Sequence, residues 1–218
     1  MSPELINLIV QATGESLFMV AVAALVATSF GLPIGIFLAT SGKGELFAAP
    51  KINAILGVIV NATRSTPFII LVVAIIPFTR LIAGTSIGSG AAIVPLTIAA
   101  TPFIARLVEA AIREVDAGLI ETASSFGANP LQIVFKVLIP EALPGLLLAL
   151  TLAVVSLLGY SAMVGGGGLG DLGIRYGYQR FMPEMMLAVV VVLIALVQTV
   201  QTVGDYFAKR VNRRLRHR

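Results

Sequence analysis

Apolar positions dominate the chain in long unbroken runs, and polar positions gather between the runs. A bilayer core of ~30 Å takes ~20 mostly apolar residues per helix, and five runs meet that length: 17–39, a stretch within 54–82, 91–108, 144–164 and 183–203. The second is interrupted by Asn61, Thr63 and Arg64, and Ser65-Thr66-Pro67 reads as a fresh helix start, so its beginning is open by several residues. The runs are too long and too continuously apolar for the alternating strands of a barrel, and helices satisfy their own backbone groups in lipid. The predicted class is all-α, a polytopic membrane protein with five spans.

Ahead of the first run, Ser2-Pro3-Glu4 reads as a helix start, followed by Leu5, Ile6, Ile9 and Val10. The expectation is a short helix over 1–16 lying on the membrane surface, with a frayed terminus as the alternative. No lysine or arginine precedes Lys43, so the positive region of a cleavable signal peptide is missing. A single membrane-spanning domain over 17–208 and a basic tail over 209–218 complete the expected organisation.

The most informative polar segment is 121–140, ETASSFGANPLQIVFKVLIP. It is too polar to cross a bilayer, yet it carries two sets of helix start and stop signals. Asp116 is placed to cap a helix over 117–126, and Gly127 stands where a left-handed residue would end it. Asn129-Pro130 with Gln132 supplies a cap, a first-turn proline and the third-position partner for a second helix, which Pro140 is expected to stop. In the first helix Leu119, Ala123 and Phe126 share one face and Glu121 and Ser125 the other. The apolar face is expected to rest on the membrane domain, leaving the carboxylate outward.

Composition agrees with the run pattern: 57% of residues are hydrophobic and 12% charged, against roughly 25% charged in soluble domains. Cysteine is absent, which excludes disulfides and thiolate metal sites. The positions of lysine and arginine set the expected orientation. Lys43, Lys51, Arg106, Arg113, Lys136, Lys209, Arg210, Arg213, Arg214, Arg216 and Arg218 fall on one side, and Arg80, Arg175 and Arg180 on the other, with Arg64 unassigned. Eleven against three places the amino terminus outside and the tail inside. The net charge of +4 belongs to that asymmetry, so no nucleic-acid surface is read from it.

Glu121-Thr122-Ala123, three residues, Gly127, nine residues, then Val137-Leu138-Ile139-Pro140 resembles the E-A-A-x3-G-x9-I-x-L-P signature of permease subunits of ATP-binding-cassette importers. Threonine replaces an alanine, valine an isoleucine and isoleucine a leucine; the glutamate, glycine and proline match. The resemblance implies that the segment about 113–142 is a coupling loop seated in a groove of a cytoplasmic ATPase subunit, with Glu121, Thr122, Ala123, Gly127, Ile139 and Pro140 as its functional residues. The stretches NATRSTPFIILVVAIIPFTRLIAGTSIG and AAIVPLTIAATPFIARLVE, and LLGYSAM followed by a glycine run and RYGYQRF, resemble the permease of bacterial methionine importers over nearly the whole chain. That likeness implies a bacterial inner-membrane homodimer, two ATP-binding subunits, an external methionine-binding lipoprotein, and alternating access. It implies no cofactor in this chain, with ATP and Mg bound by the partner subunits. The sequence agrees in lacking a G-x-x-x-x-G-K-[ST] phosphate loop.

Gly165, Gly167 and Gly170 satisfy G-x-G-x-x-G, but a dinucleotide fingerprint follows a strand and here a span precedes it. A bent re-entry after span four, through Gly165 and Gly166, is the expected use of these glycines. Met163 is then a candidate gate at a dimer axis, by the family resemblance, or a packing methionine. Arg64 either snorkels at the inner interface or lines a pathway. Gln198, Gln201 and Asp205 recur at helical spacing and give a polar stripe suited to an inner vestibule or to a helix end in the headgroups.

Ionisable residues inside a membrane mark ion or proton routes because burial without a partner is costly. The spans hold almost none, and Glu109 is spaced to pair with Arg106 or Arg113 on its own helix. That pattern argues against a proton-driven carrier and for energy supplied from outside the membrane. The residues argue against an intramembrane hydrolase too, since the one histidine is His217 in the tail and H-E-x-x-H is absent. A carrier of another amino acid or small peptide, and a passive channel or membrane scaffold, remain as competing expectations.

Overall fold

The computed structural model describes residues 3–164 and 166–215, with side chains to 212. The expected Ser2 cap, the Gly165 position and the end of the basic tail, His217 included, lie outside the described residues. Among those described there are helices and no strands.

The first element is one helix, α1, Pro3–Thr40. At a rise of 1.5 Å per residue it is about 57 Å long, so the surface helix expected over 1–16 is not a separate element. Nothing after Glu4 breaks it: Gly14 has open space around it, and Pro33 is accommodated within the helix. Next come α2, Pro50–Ser65, α3, Phe68–Ala74, and α4, Ile76–Ala83. Pro67, extended at φ −55° and ψ 133°, separates α2 from α3, and the two are bent by 102°. The fresh start read at Ser65-Thr66-Pro67 is therefore real, and it breaks the second run.

Helix α5, Ser89–Arg113, leads to two short elements, α6, Ala117–Ser125, and α7, Pro130–Ile133. A π-helical turn over Val134–Leu138 then joins α7 to α8, Ile139–Ser161. Pro140 does not stop the second helix as expected. The Ile139 amide donates to Val134 five residues back, and this wider turn absorbs the donor that proline lacks and the crowding its ring imposes. Helix α9, Gly168–Leu172, runs through a second π turn, Gly173–Gln179. The last helix, α10, Pro183–Leu215, continues through the first part of the predicted tail. Among the described residues four helices are long and apolar enough to cross a membrane, or five if the bent α2–α3 pair is one span.

The chain divides into two compact units, and α1, α5, α8 and α10 contribute to both. One comprises Met1–Ala27, Thr66–Ala100 and Ala153–Gln201. Its core gathers Ala12 of α1, Leu169 and Leu172 of α9, and Met185 and Val189 of α10. The other comprises Thr28–Ser65, Thr101–Leu152 and Thr202–Arg218. There Gly31 and Gly35, four residues apart on α1, let its backbone lie against α5. A β-carbon at Gly31 would stand 2.9 Å from Thr101 O, and one at Gly35 2.5 Å from Ala105 O. Helices without a hydrophobic drive to associate in lipid use small residues in this way.

The carboxyl end of α1 is closed from outside the helix. Its last carbonyls lack intrahelical donors; Leu38 O accepts from Asn53 of α2 at 2.8 Å and from Arg113 of α5 at 3.0 Å, and Thr40 O from the Phe47 amide. Large apolar side chains such as Leu25, Val58, Leu148 and Val191 are left exposed, as hydrocarbon or another chain requires of a membrane protein.

Candidate functional site

The segment between α5 and α8 is built from local capping chemistry. Asp116 has its side chain accepting from the Gly118 amide at 2.7 Å, which fixes the start of α6. At the other end Gly127 adopts φ +80°, its amide donates to Ser124 O, and the Ala128 amide donates to Ala123 O. These are the paired bonds of a Schellman ending. Two residues later Asn129 Oδ1 accepts from the Gln132 amide at 2.8 Å, and Gln132 Oε1 accepts from the Asn129 amide at 3.0 Å. This reciprocal capping box starts α7. The expected caps, bend and second start are all in place.

The expected burial of α6 is not. Phe126 is 88% exposed and Leu119 42%, whereas Ile120 and Ala123 are half-buried. Glu121, Ser124 and Ser125 line a cleft of about 810 Å³ together with Thr40, Glu45, Arg113 and Leu138. Ala117 and Ile120 share the lining of this cleft with Glu121, and among the described residues nothing covers Leu119 and Phe126. The hydroxyls of Thr122, Ser124 and Ser125 each donate to the carbonyl four residues earlier and so are satisfied by their own helix. Ile139 is half-buried and Pro140 exposed, both just past the π turn.

Above the cleft, Glu109 takes the place expected of it and pairs with both Arg106 and Arg113. Arg113 also donates to Glu45 at 2.9 Å. Glu45 and Asn53 were not singled out in the sequence; a lone carboxylate in a glycine-rich turn and a lone asparagine in a helix carry no periodic signal. Arg64 is exposed, and its guanidinium lies 5.8 Å from the centre of the Phe103 ring, a cation–π placement.

In the other unit, the chain turns after Ser161 and folds back into α9. A β-carbon on Gly170 would stand 2.2 Å from Ala162 Cα, so α9 lies directly on the turn. Gly166 is left-handed at φ +95°. Met163 is 55% exposed, its amide bonded to Tyr160 O, and Tyr160 stacks on Phe68 with ring centres 4.6 Å apart. Glu15 and Ser16 of α1 accept from the Gly168 and Leu169 amides at 2.8 and 2.9 Å, an anchor for the turn that the sequence reading missed. Gln198 lines a 260 Å³ cavity with Ala162, next to Met163, while Gln201 is exposed.

A fold of this kind, with a doubly capped helical pair between α5 and α8, has close relatives. Residues 31–217 match the family described as binding-protein-dependent transport system inner membrane component. The chain belongs to that family. It is thus a multi-pass inner-membrane component of a transport system, as the sequence resemblance led one to expect. The probable D-methionine transport system permease protein MetI of Vibrio cholerae is 52% identical over 211 residues, 95% of this chain and 94% of that one. The D-methionine transport system permease protein MetI of Escherichia coli K12 is 51% identical over 165 residues, 76% of each chain. Among solved structures, a chain from inward facing conformations of the MetNI methionine ABC transporter superposes with a TM-score of 0.95 at 48% identity, covering 97% of this chain and 99% of that one.

Proposed function

We propose that this chain is the membrane-spanning subunit of an ATP-driven importer of methionine, in its D and L forms. Two copies associate with two ATPase subunits and an external binding lipoprotein. The chain itself is non-catalytic; ATP with Mg is bound by the ATPase partners, whose closure supplies the energy. The names of relatives at about half identity over most of their length support the substrate. The charge asymmetry supports an amino terminus outside and a carboxyl terminus inside.

The observation that carries the reading is the α6–α7 pair: two short helices, each started by a side-chain cap and joined at left-handed Gly127, with Leu119 and Phe126 exposed on one edge. An ordered element with an uncovered apolar edge is what a partner's groove takes. Motion imposed there tilts the helices and alternately opens the path near Met163, Gly166, Gln198 and Gln201. A path lined by small, hydroxyl and thioether side chains suits a zwitterion with an apolar side chain.

The test is co-reconstitution of the chain with its ATPase and binding protein in liposomes, followed by uptake of a panel of labelled amino acids. Methionine accumulation that needs ATP supports the proposal. Equal uptake without ATP would make the chain a passive channel, and preference for another cargo would change the substrate.

A further inference from the structure

Four side chains form a continuous ionic ladder at the carboxyl end of α5, just ahead of α6. Arg106 of α5 donates to Gly57 O at 2.9 Å and to Asn61 Oδ1 at 3.1 Å, both on α2, and pairs with Glu109. Glu109, its side chain 13% exposed, also accepts from Arg113 Nε at 3.2 Å. Arg113 carries the ladder on to Glu45 at 2.9 Å and to Leu38 O at 3.0 Å. Glu45 in turn holds the Gly42 amide with its second oxygen at 2.6 Å. Each of the three guanidinium nitrogens of Arg113 thereby donates one hydrogen bond, and Arg113 stands three residues before Asp116, the cap of α6.

Exposed ion pairs contribute little to stability, and Arg113 and Glu45 are 45% and 30% exposed. The geometry, by contrast, is demanding. One fork of donors spans a turn, a helix end and a neighbouring carboxylate, which a planar guanidinium does and an ammonium does not. The ladder joins α2, the end of α1 and the end of α5 at the point where the chain leaves α5 for α6. It also borders the cleft that holds Glu121.

We propose that Arg106, Glu109, Arg113 and Glu45 are positioning residues that lock the end of α5, from which α6 departs, to α2 and to the α1–α2 turn, so that a displacement passed from α6 to α5 moves these elements as one body. The inference rests on the reading of α6 as the coupling helix. None of the four need touch substrate or nucleotide. Their role is to keep the displacement from being lost as local bending at residues 113–116.

Two measurements test it together, on Glu45→Ala, Arg113→Lys and the wild-type chain. In the reconstituted complex, methionine taken up per ATP hydrolysed is expected to fall about five-fold or more, the lower end of a typical coupling between sites, while ATP hydrolysis continues. In the purified full chain alone, amide exchange over 117–125 is expected to speed up in both variants, with the core of α5 unchanged. Arg113→Lys is the discriminating variant, since it keeps the charge and removes the fork. If both variants keep the wild-type uptake ratio and the wild-type exchange at α6, the ladder is not a positioning device. If the wild-type complex shows no ATP-driven uptake but exchange at α6 still responds, the ladder stands and the importer reading falls.

Discussion

Gly204 and Thr151 approach so closely that a β-carbon on the glycine would lie 2.0 Å from the threonine Oγ1. This is where α10 packs on α8. Thr151 is held there, its hydroxyl bonded to Leu147 O at 2.8 Å. Gly204→Val is expected to cost about 1–3 kcal/mol of stability, the usual scale of forced overpacking. The measurement is the thermal midpoint of the detergent-purified chain. Thr151→Ala combined with Gly204→Ala should recover part of the loss, because contacting residues couple.

Gly127 stands in a different situation. A β-carbon there would meet nothing within 4 Å, so the price of Gly127→Ala is conformational alone, about 1–2 kcal/mol for a left-handed residue. The folded chain is expected to survive it and the bend between α6 and α7 to loosen. Uptake in the reconstituted complex should fall while ATP hydrolysis persists, and Gly127→Asn, which tolerates the same backbone, should retain more uptake than Gly127→Ala.

Glu121 lines the cleft, and among the described residues its carboxylate forms no ion pair on which α6 depends. Glu121→Gln is therefore expected to leave membrane insertion and the thermal midpoint within about 0.5 kcal/mol of wild type, as for surface positions without a special role, and to reduce uptake relative to ATP hydrolysis. Unchanged uptake would remove Glu121 from the coupling loop.

Local grammar made much of this chain legible in its sequence. The caps at Asp116 and Asn129 and the ending at Gly127 follow from side chains that reach two or three positions along the chain, and the pairing of Glu109 with Arg106 and Arg113 follows from helical spacing. What escaped notice is set by distance or by compensation. Arg113 finds Glu45 and Leu38 at separations of 68 and 75 residues, beyond any periodic signal. Pro140 fails to end its helix because a π turn compensates for it, and the π turn has no residue signature of its own. The orientation of α6 departs from the expectation because helical spacing shows which residues share an apolar edge but not what covers it. The edge is instead left bare, and the likeness to a coupling motif is what gives that bareness a use.

The central claim is that the exposed edge of α6 faces the inside and meets another protein there. The chain contains no cysteine, so Phe126→Cys introduces a single thiol at the most exposed point of that edge. In sealed, right-side-out vesicles a membrane-impermeant maleimide is predicted to leave this thiol unlabelled, to label it once the vesicles are permeabilised, and to be blocked again when the ATPase subunit is bound. Rapid labelling from the outside of sealed vesicles would contradict the account.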